Sequence, residues 1–394
     1  MSQRPINLSP DLQRLRADGY NIQIRSGYLL MKDVPYVNNQ KVVRRGTLVS
    51  KLDLAGDVTT RPSDHQVQFA GDHPCHLDGS LMEELVNNKT ENRLYDDLFT
   101  QYSFSHKPPE GYADYYQKMS TYAAILTTQA EALEPGATAL THLVEEPPPE
   151  EDSPFNYMDT ASSRADINVV TKKLALHKVA IVGLGGTGSY ILDLVAKTPV
   201  KEIHLYDKDI YATHNAFRAP GAPSLDELRA MPQKTAYFAA IYSKMHRGIK
   251  GHDAYMDASQ VEALKVMDFV FLCMDRGKLK RLIIQKLEEY GITFIDVGMG
   301  IYIKNERLGG IIKVTASTKE HRKHVHENSR ISLDGDDDEN EYNKNIQIAD
   351  LNALNAALAV IKWKKLFGFY GDYEKELSST YTIDCNMLTG DDAS

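Results

Sequence analysis

The run Val182-Gly183-Leu184-Gly185-Gly186-Thr187-Gly188 constrains this chain more than any other. It satisfies G-x-G-x-x-G, follows the apolar run Lys178–Val182 and precedes a helical pattern over Ser189–Lys197. Glycine is required at such a turn by its tight geometry and by the approach of backbone amides to a phosphate; the helix N-terminus beyond adds partial positive charge. Spacing alone leaves two readings, a nucleotide site or a glycine-rich turn without a ligand. The pattern alternates further downstream. Strands are predicted over Glu202–Tyr206, Phe269–Met274 and Thr293–Val297, and helices over Gln233–Arg247, Lys278–Tyr290 and Gln347–Lys365. Strand–helix alternation at this spacing predicts an α/β fold, a Rossmann-like doubly wound and mostly parallel sheet.

The chain before it reads differently. Ser9-Pro10-Asp11-Leu12-Gln13-Arg14-Leu15 predicts a short helix. Short β-like runs follow at Tyr20–Ile24, Tyr28–Met31, Lys41–Val43 and Thr47–Leu52, with helical patterns after Cys75 at Leu81–Leu85 and Tyr112–Ala132. This predicts a smaller α+β domain over residues 1–143, an acidic, proline-rich linker over 144–155 around Glu-Glu-Pro-Pro-Pro-Glu-Glu-Asp-Ser, and the α/β domain over 156–394. The run Asp334-Gly335-Asp336-Asp337-Asp338-Glu339-Asn340-Glu341 reads as a solvated loop.

A net charge of −9 argues against a nucleic-acid partner, which needs a basic face. No apolar run has the length that spans a bilayer, and the polar start Met1-Ser2-Gln3-Arg4-Pro5 has no signal-peptide core, so a cytoplasmic protein without a membrane partner is expected. The three cysteines, Cys75, Cys273 and Cys385, are far apart, which fits a reducing compartment and excludes a four-cysteine zinc site within one chain.

Asp207 ends the second strand of the α/β pattern, where a carboxylate can bind ribose hydroxyls. To this point an NAD-dependent oxidoreductase fits equally well. The segment Asp207-Lys208-Asp209-Ile210-Tyr211-Ala212-Thr213-His214-Asn215-Ala216-Phe217-Arg218 separates the two, together with Lys234 at the start of the next helix and Asp275 just past the following strand. In order, the glycine loop, Asp207, Asp209, Asn215, Arg218, Lys234 and Asp275 resemble the adenylation site of the E1-like (ubiquitin-activating-type) family of ThiF, MoeB and HesA proteins. The resemblance covers about Lys178 to Thr315 and extends to Lys365. There is no Walker A motif.

The resemblance implies an E1-like adenylyltransferase that converts ATP to AMP and pyrophosphate with Mg²⁺. The nucleotide would lie on Gly183, Gly185, Gly186, Thr187 and Gly188, with Asp207 on the ribose. Arg218 would fork onto phosphate oxygens and Lys234 would act as a mobile point charge. Asp275 would hold Mg²⁺. Asn215 would orient phosphate or support Arg218, and Asp209 is either structural or a second metal contact. Family members form homodimers, and many lend an arginine to the neighbouring site. Arg164 either fills that role or is a solvent-facing arginine at a helix start.

The expected substrate is the C-terminal glycine carboxylate of a ubiquitin-like protein, with an E2-like conjugating protein as a further partner. The fused N-terminal domain is expected to bind one of these. Alternatives are a small-molecule, tRNA-borne or peptide carboxylate, and a non-catalytic nucleotide-binding scaffold. The chain departs from the family in lacking C-x-x-C pairs, so no structural zinc is expected, and in having no cysteine over Ser317–Asn345, which puts a thioester step in doubt. Cys273 reads as a packed strand residue and Cys385 as a strand residue near the C-terminus. Cys75, flanked by His73 and His76, reads as a nucleophile, as a structural residue, or with His65 as part of a metal site.

Overall fold

The computed structural model describes residues 3–95, 97–143, 153–253, 256, 260–274, 277–327, 330–331 and 346–391. Asp275, the acidic run 334–341 and residues 144–152 of the expected linker lie outside these described residues. The chain divides into two compact units, Met1–Thr171 and Lys172–Ser394.

In the first unit, α1 (Gln3–Leu8) and α2 (Pro10–Asp18) lead into β1 (Ile22–Arg25), β2 (Tyr28–Val37) and β3 (Val43–Lys51). A two-residue ribbon, β4 (Leu54–Ala55) and β5 (Val58–Thr59), precedes β6 (Gln66–Ala70), β7 (Val86–Arg93) and β8 (Phe99–Ser105). The helices α3 (Tyr115–Leu133), α4 (Thr160–Arg164) and α5 (Asn168–Thr171) follow. Among the described residues the sheet is antiparallel, in the order β1-β2-β3-β6-β8-β7. Asp114 caps α3 by accepting the Gln117 N–H at 2.7 Å. The buried stripe Tyr115, Met119, Tyr122 and Leu126 of α3 meets Leu29, Met31, Leu48, Phe69 and Phe104 of the sheet.

Two expectations change here. Lys41–Val43 and Thr47–Leu52 merge into the single strand β3. Leu81–Leu85 forms no helix: Met82 and Leu85 are buried, but their backbone makes a turn in which Leu85 and Val86 N–H groups donate to Met82 O. The next segment pairs as β7 with β8. Leu81 bridges Cys75 and Met82 N–H donates to Pro74 O, so this backbone is committed to a neighbouring segment instead of a helix.

The second unit begins with a short 3₁₀ turn over Lys172–Leu174. Its elements are β9 (Lys178–Val182), α6 (Gly186–Val195), β10 (Glu202–Tyr206), α7 (Thr213–Ala216), α8 (Leu225–Arg229), α9 (Lys234–Tyr242), β11 (Ile249–His252) and β12 (Phe269–Leu272). They continue with α10 (Lys278–Glu289), β13 (Thr293–Lys304), β14 (Arg307–Ser317), α11 (Lys323–Glu327), α12 (Ala349–Leu366), β15 (Ser378–Thr382) and β16 (Met387–Asp391). The sheet runs β11-β10-β9-β12-β13-β14-β15-β16; the five strands from β11 to β13 are parallel and the rest antiparallel.

The central parallel strands β9 and β12 are apolar from Val179 to Val182 and from Phe269 to Leu272 because both faces are covered. Val179, Ile181, Ile203, Leu205, Phe269 and Phe271 face α6, α9 and α12 in one core. Ala180, Val182, Val270, Leu272 and Phe294 face α10 and the 3₁₀ turn Val261–Val266 in another. The structure is thus the Rossmann-like, doubly wound α/β sheet expected, preceded by a smaller unit with its own antiparallel sheet. The helix expected over Gln233–Arg247 ends at Tyr242, and the strand expected over Thr293–Val297 extends to Lys304 because β14 pairs with all of it.

Candidate nucleotide site

The glycine loop connects β9 to α6. Its glycines do different work. Gly183 has φ 94°, and a Cβ there would lie 2.6 Å from the Cys273 carbonyl oxygen. At Gly188 a Cβ would collide with the Gly183 carbonyl oxygen, and at Gly186 with the side chain of Asn352. Gly185 stands apart: beyond its chain neighbours, the nearest atom of the described residues to a Cβ there is Gln347 Oε1 at 3.9 Å. Three glycines are therefore demanded by the protein's own packing, whereas Gly185 leaves space for an approaching group.

Asp207 leaves β10 beside this loop. Its Oδ2 accepts the Leu184 N–H at 2.7 Å and its Oδ1 accepts the Asp209 N–H at 2.8 Å. Oδ1 retains a further lone pair, whereas Oδ2 also accepts from Lys234. The chain from Asp207 to Tyr211 is fastened to the start of α9: Lys234 N–H donates to Asp209 O at 2.9 Å and Tyr211 N–H to Pro232 O at 2.7 Å. This brings Lys234 to the two carboxylates, its Nζ 2.8 Å from Asp209 Oδ2 and 3.5 Å from Asp207 Oδ2. The Lys234 hydrogen bond, opposed by some burial, holds the Asp209 carboxyl below its ordinary range.

Asn215 is buried in the turn that carries Arg218. Its side-chain oxygen accepts the Ala212 N–H at 2.9 Å, and its carbonyl accepts the Arg218 N–H at 3.0 Å. Arg218 Nε is buried and has no hydrogen-bond partner among the described residues. A buried guanidinium nitrogen without an acceptor is costly unless an anion completes it.

Two residues of this neighbourhood carried no signal in the sequence, Gln347 and Asn352. Gly186 N–H donates to Gln347 Oε1 at 3.3 Å. Asn352 accepts from Thr187 Oγ1 at 3.0 Å and donates to Arg218 O at 3.2 Å. Gln347 precedes α12 and Asn352 is a single amide within it, and only the folded contacts reveal their roles.

The remaining candidates lie elsewhere. Cys75 sits in the first unit with Val37, Ala130 and Ala137, without exposed surface. Burial, helped by Asp78, pushes its thiol up, away from the thiolate, and the Sγ donates to His73 O at 3.4 Å. The three histidines point to other groups: His65 to Ser105, His73 to Pro74 O, His76 to Glu84. No three His, Cys, Asp or Glu side chains converge on a metal-sized site among the described residues. Cys273 is driven to a high pKa by burial, and Cys385 is exposed. Arg164 pairs with Asp53 of its own unit at 2.9 Å. No helix among the described residues is long and apolar enough to cross a membrane.

The family model described as "ThiF family" matches residues 160–362, and one described as "Domain of unknown function (DUF6791)" matches residues 10–160. No curated protein matches. Among solved structures, E. coli MccB is similar at 19% identity over 59% of this chain and 69% of that chain, with a TM-score of 0.46. E. coli MccB with ATP is similar at 17% identity over 62% of this chain and 73% of the other, TM-score 0.44. PaaA is similar at 16% identity over 57% of this chain and 76% of the other, TM-score 0.40. The second unit has the fold of ThiF-like adenylating enzymes. With more than half of its residues matched by that family model, the chain belongs to the ThiF family.

Proposed function

We propose that this protein adenylates a carboxylate with ATP, and that the carboxylate is the C-terminal glycine of a ubiquitin-like protein. The observation that carries adenylation is the unpartnered, buried Arg218 Nε, in a site that also holds Lys234 and the open Gly185. A polyphosphate fits such a site. The phosphates would approach the loop at Gly185, and Asp207 would accept a ribose hydroxyl on its remaining lone pair.

In the reaction a substrate carboxylate oxygen attacks the α-phosphorus. The new acyl–phosphate bond forms as the bond from the α-phosphorus to the bridging oxygen breaks, and pyrophosphate leaves with that electron pair. Negative charge grows on the non-bridging and leaving oxygens, where Arg218 and Lys234 lower the barrier. Lys234 must turn from Asp209 towards phosphate, and the exposure of Asp209 (59% of its side chain) lets water replace the lysine. Thr187 contributes through its backbone, since its hydroxyl is engaged by Asn352.

Mg²⁺ would supply further neutralisation of phosphate charge, and Asp275 is its proposed ligand. Of the described carboxylates, Asp207 accepts two backbone N–H groups and Asp209 accepts Lys234. The chain would act as a homodimer in which Arg164 leaves Asp53 for the neighbouring site, with residues 1–143 recognising the ubiquitin-like protein or an E2-like partner. Cys75 is assigned to packing.

ATP–pyrophosphate exchange tests the reading. With Mg²⁺ and a ubiquitin-like protein ending in glycine, exchange should appear and vanish when that glycine is deleted. Folded enzyme that exchanges with no such protein would overturn the choice of substrate.

A further inference from the structure

The glycine loop and Arg218 belong to separate stretches of chain, and both must meet one polyphosphate. One side chain joins them. Asn352, in α12, is 1% exposed. Its Oδ1 accepts from Thr187 Oγ1 in the first turn of α6, at 3.0 Å, and its Nδ2 donates to Arg218 O, at 3.2 Å. The orientation of the amide is forced, because a carbonyl can only accept and so must face the nitrogen. The same side chain fills the space where Gly186 would carry a Cβ. Gly186 is thus a glycine because Asn352 stands against it.

We propose that Asn352 is a positioning residue that sets the distance between the α6 N-terminus and the Arg218 guanidinium, so that both engage one triphosphate. The inference rests on the nucleotide reading above. Arg218 is otherwise placed by its own local turn, through Arg218 N–H to Asn215 O, and that bond moves with the turn as a whole. Asn352 ties the turn to the loop. Without it the loop amides and Arg218 remain present but are no longer held in register, and a ligand must order them at its own expense.

Asn352→Asp keeps the shape and the acceptor for Thr187 but replaces the donor to Arg218 O with an oxygen. A double-mutant cycle on AMPCPP binding, measured by calorimetry on the full chain, provides the test. Arg218→Ala alone should weaken AMPCPP about 10-fold or more, as loss of a charged hydrogen bond does. Asn352→Asp alone should weaken it to a similar degree. Added to Asn352→Asp, Arg218→Ala should cost less than about threefold, because the arginine is already out of register. Asn352→Ala should repeat the pattern.

A cycle in which the two losses multiply would overturn the proposal, as would an Asn352→Asp protein that binds like wild type. Loss of the cooperative thermal transition in both Asn352 variants would make the residue one of the fold alone and would also overturn it. These outcomes differ from failure of the nucleotide reading, in which wild type does not bind AMPCPP or Arg218→Ala binds it unchanged.

Discussion

Lys234 Nζ lies 2.8 Å from Asp209 Oδ2, so the lysine of the candidate site is held by a carboxylate that water can reach. Asp209 stores the charge that phosphate is proposed to take over. Lys234→Ala should lower the pyrophosphate-exchange rate about 100-fold, the scale for removing one preorganised charge from a transition state. Asp209→Asn should lower it far less, since the lysine remains. Initial rates of exchange at saturating ATP compare the two variants.

The glycines should separate by the kind of damage their replacement does. Gly188→Ala drives a Cβ into the Gly183 carbonyl and should cost stability, about 1–3 kcal/mol, the usual scale of overpacking. Gly185→Ala meets no side chain of the described residues nearer than 3.9 Å and should leave the melting temperature unchanged while weakening AMPCPP. Thermal melts with and without AMPCPP distinguish the two.

Alkylation should rank the cysteines by exposure. Iodoacetamide at neutral pH should modify Cys385, which is exposed, and leave Cys75 and Cys273, whose thiols burial pushes up, until the protein is denatured. Peptide mass spectrometry reads the order. Early labelling of Cys75 would reopen its reading as a nucleophile.

Acid should act through Glu202. Hydrogen bonding from Lys250, with His204 also contributing, brings its carboxyl from 4.5 to about 2. A depressed carboxyl stabilises the fold fully above its unfolded value, and this is lost as pH falls through the folded one. Glu202→Gln should therefore be less stable than wild type at pH 7. The gap should narrow as pH drops below about 4.5 and close near 2. Urea midpoints across this range, read as far down as wild type stays folded, give the comparison.

The legible part of the chain was the part whose local pattern and tertiary fate agree. β9 and α10 stand out because a strand buried on both faces is apolar without alternation, and α10 keeps a single buried stripe of Ile283, Ile284 and Leu287. β7, with the sequence VNNKTENR, shows no apolar period because it is an exposed strand at a sheet edge. β14 to β16 carry a weak signal for a related reason: Leu308, Ile311, Met387 and Leu388 are exposed, so the far end of the sheet lacks the two-sided burial that marks its centre. In the candidate site, Asp207, Arg218 and Lys234 were proposed from their order along the chain. Asn352 was not, because an asparagine among the leucines and alanines of α12 acquires meaning only when α12 packs on α6.

The position of β9 has one last consequence. From its carboxyl end the chain moves through α6 to β10 on one side, and much later to β12 on the other. The glycine loop therefore lies at the seam where two successive windings of the sheet part in opposite directions. A nucleotide held there would act as a splice across that seam, contacting both windings at once. Unfolding either one would first have to release it, so ATP analogues should protect the second unit as a single cooperative block, by an amount set by ligand concentration relative to its Kd.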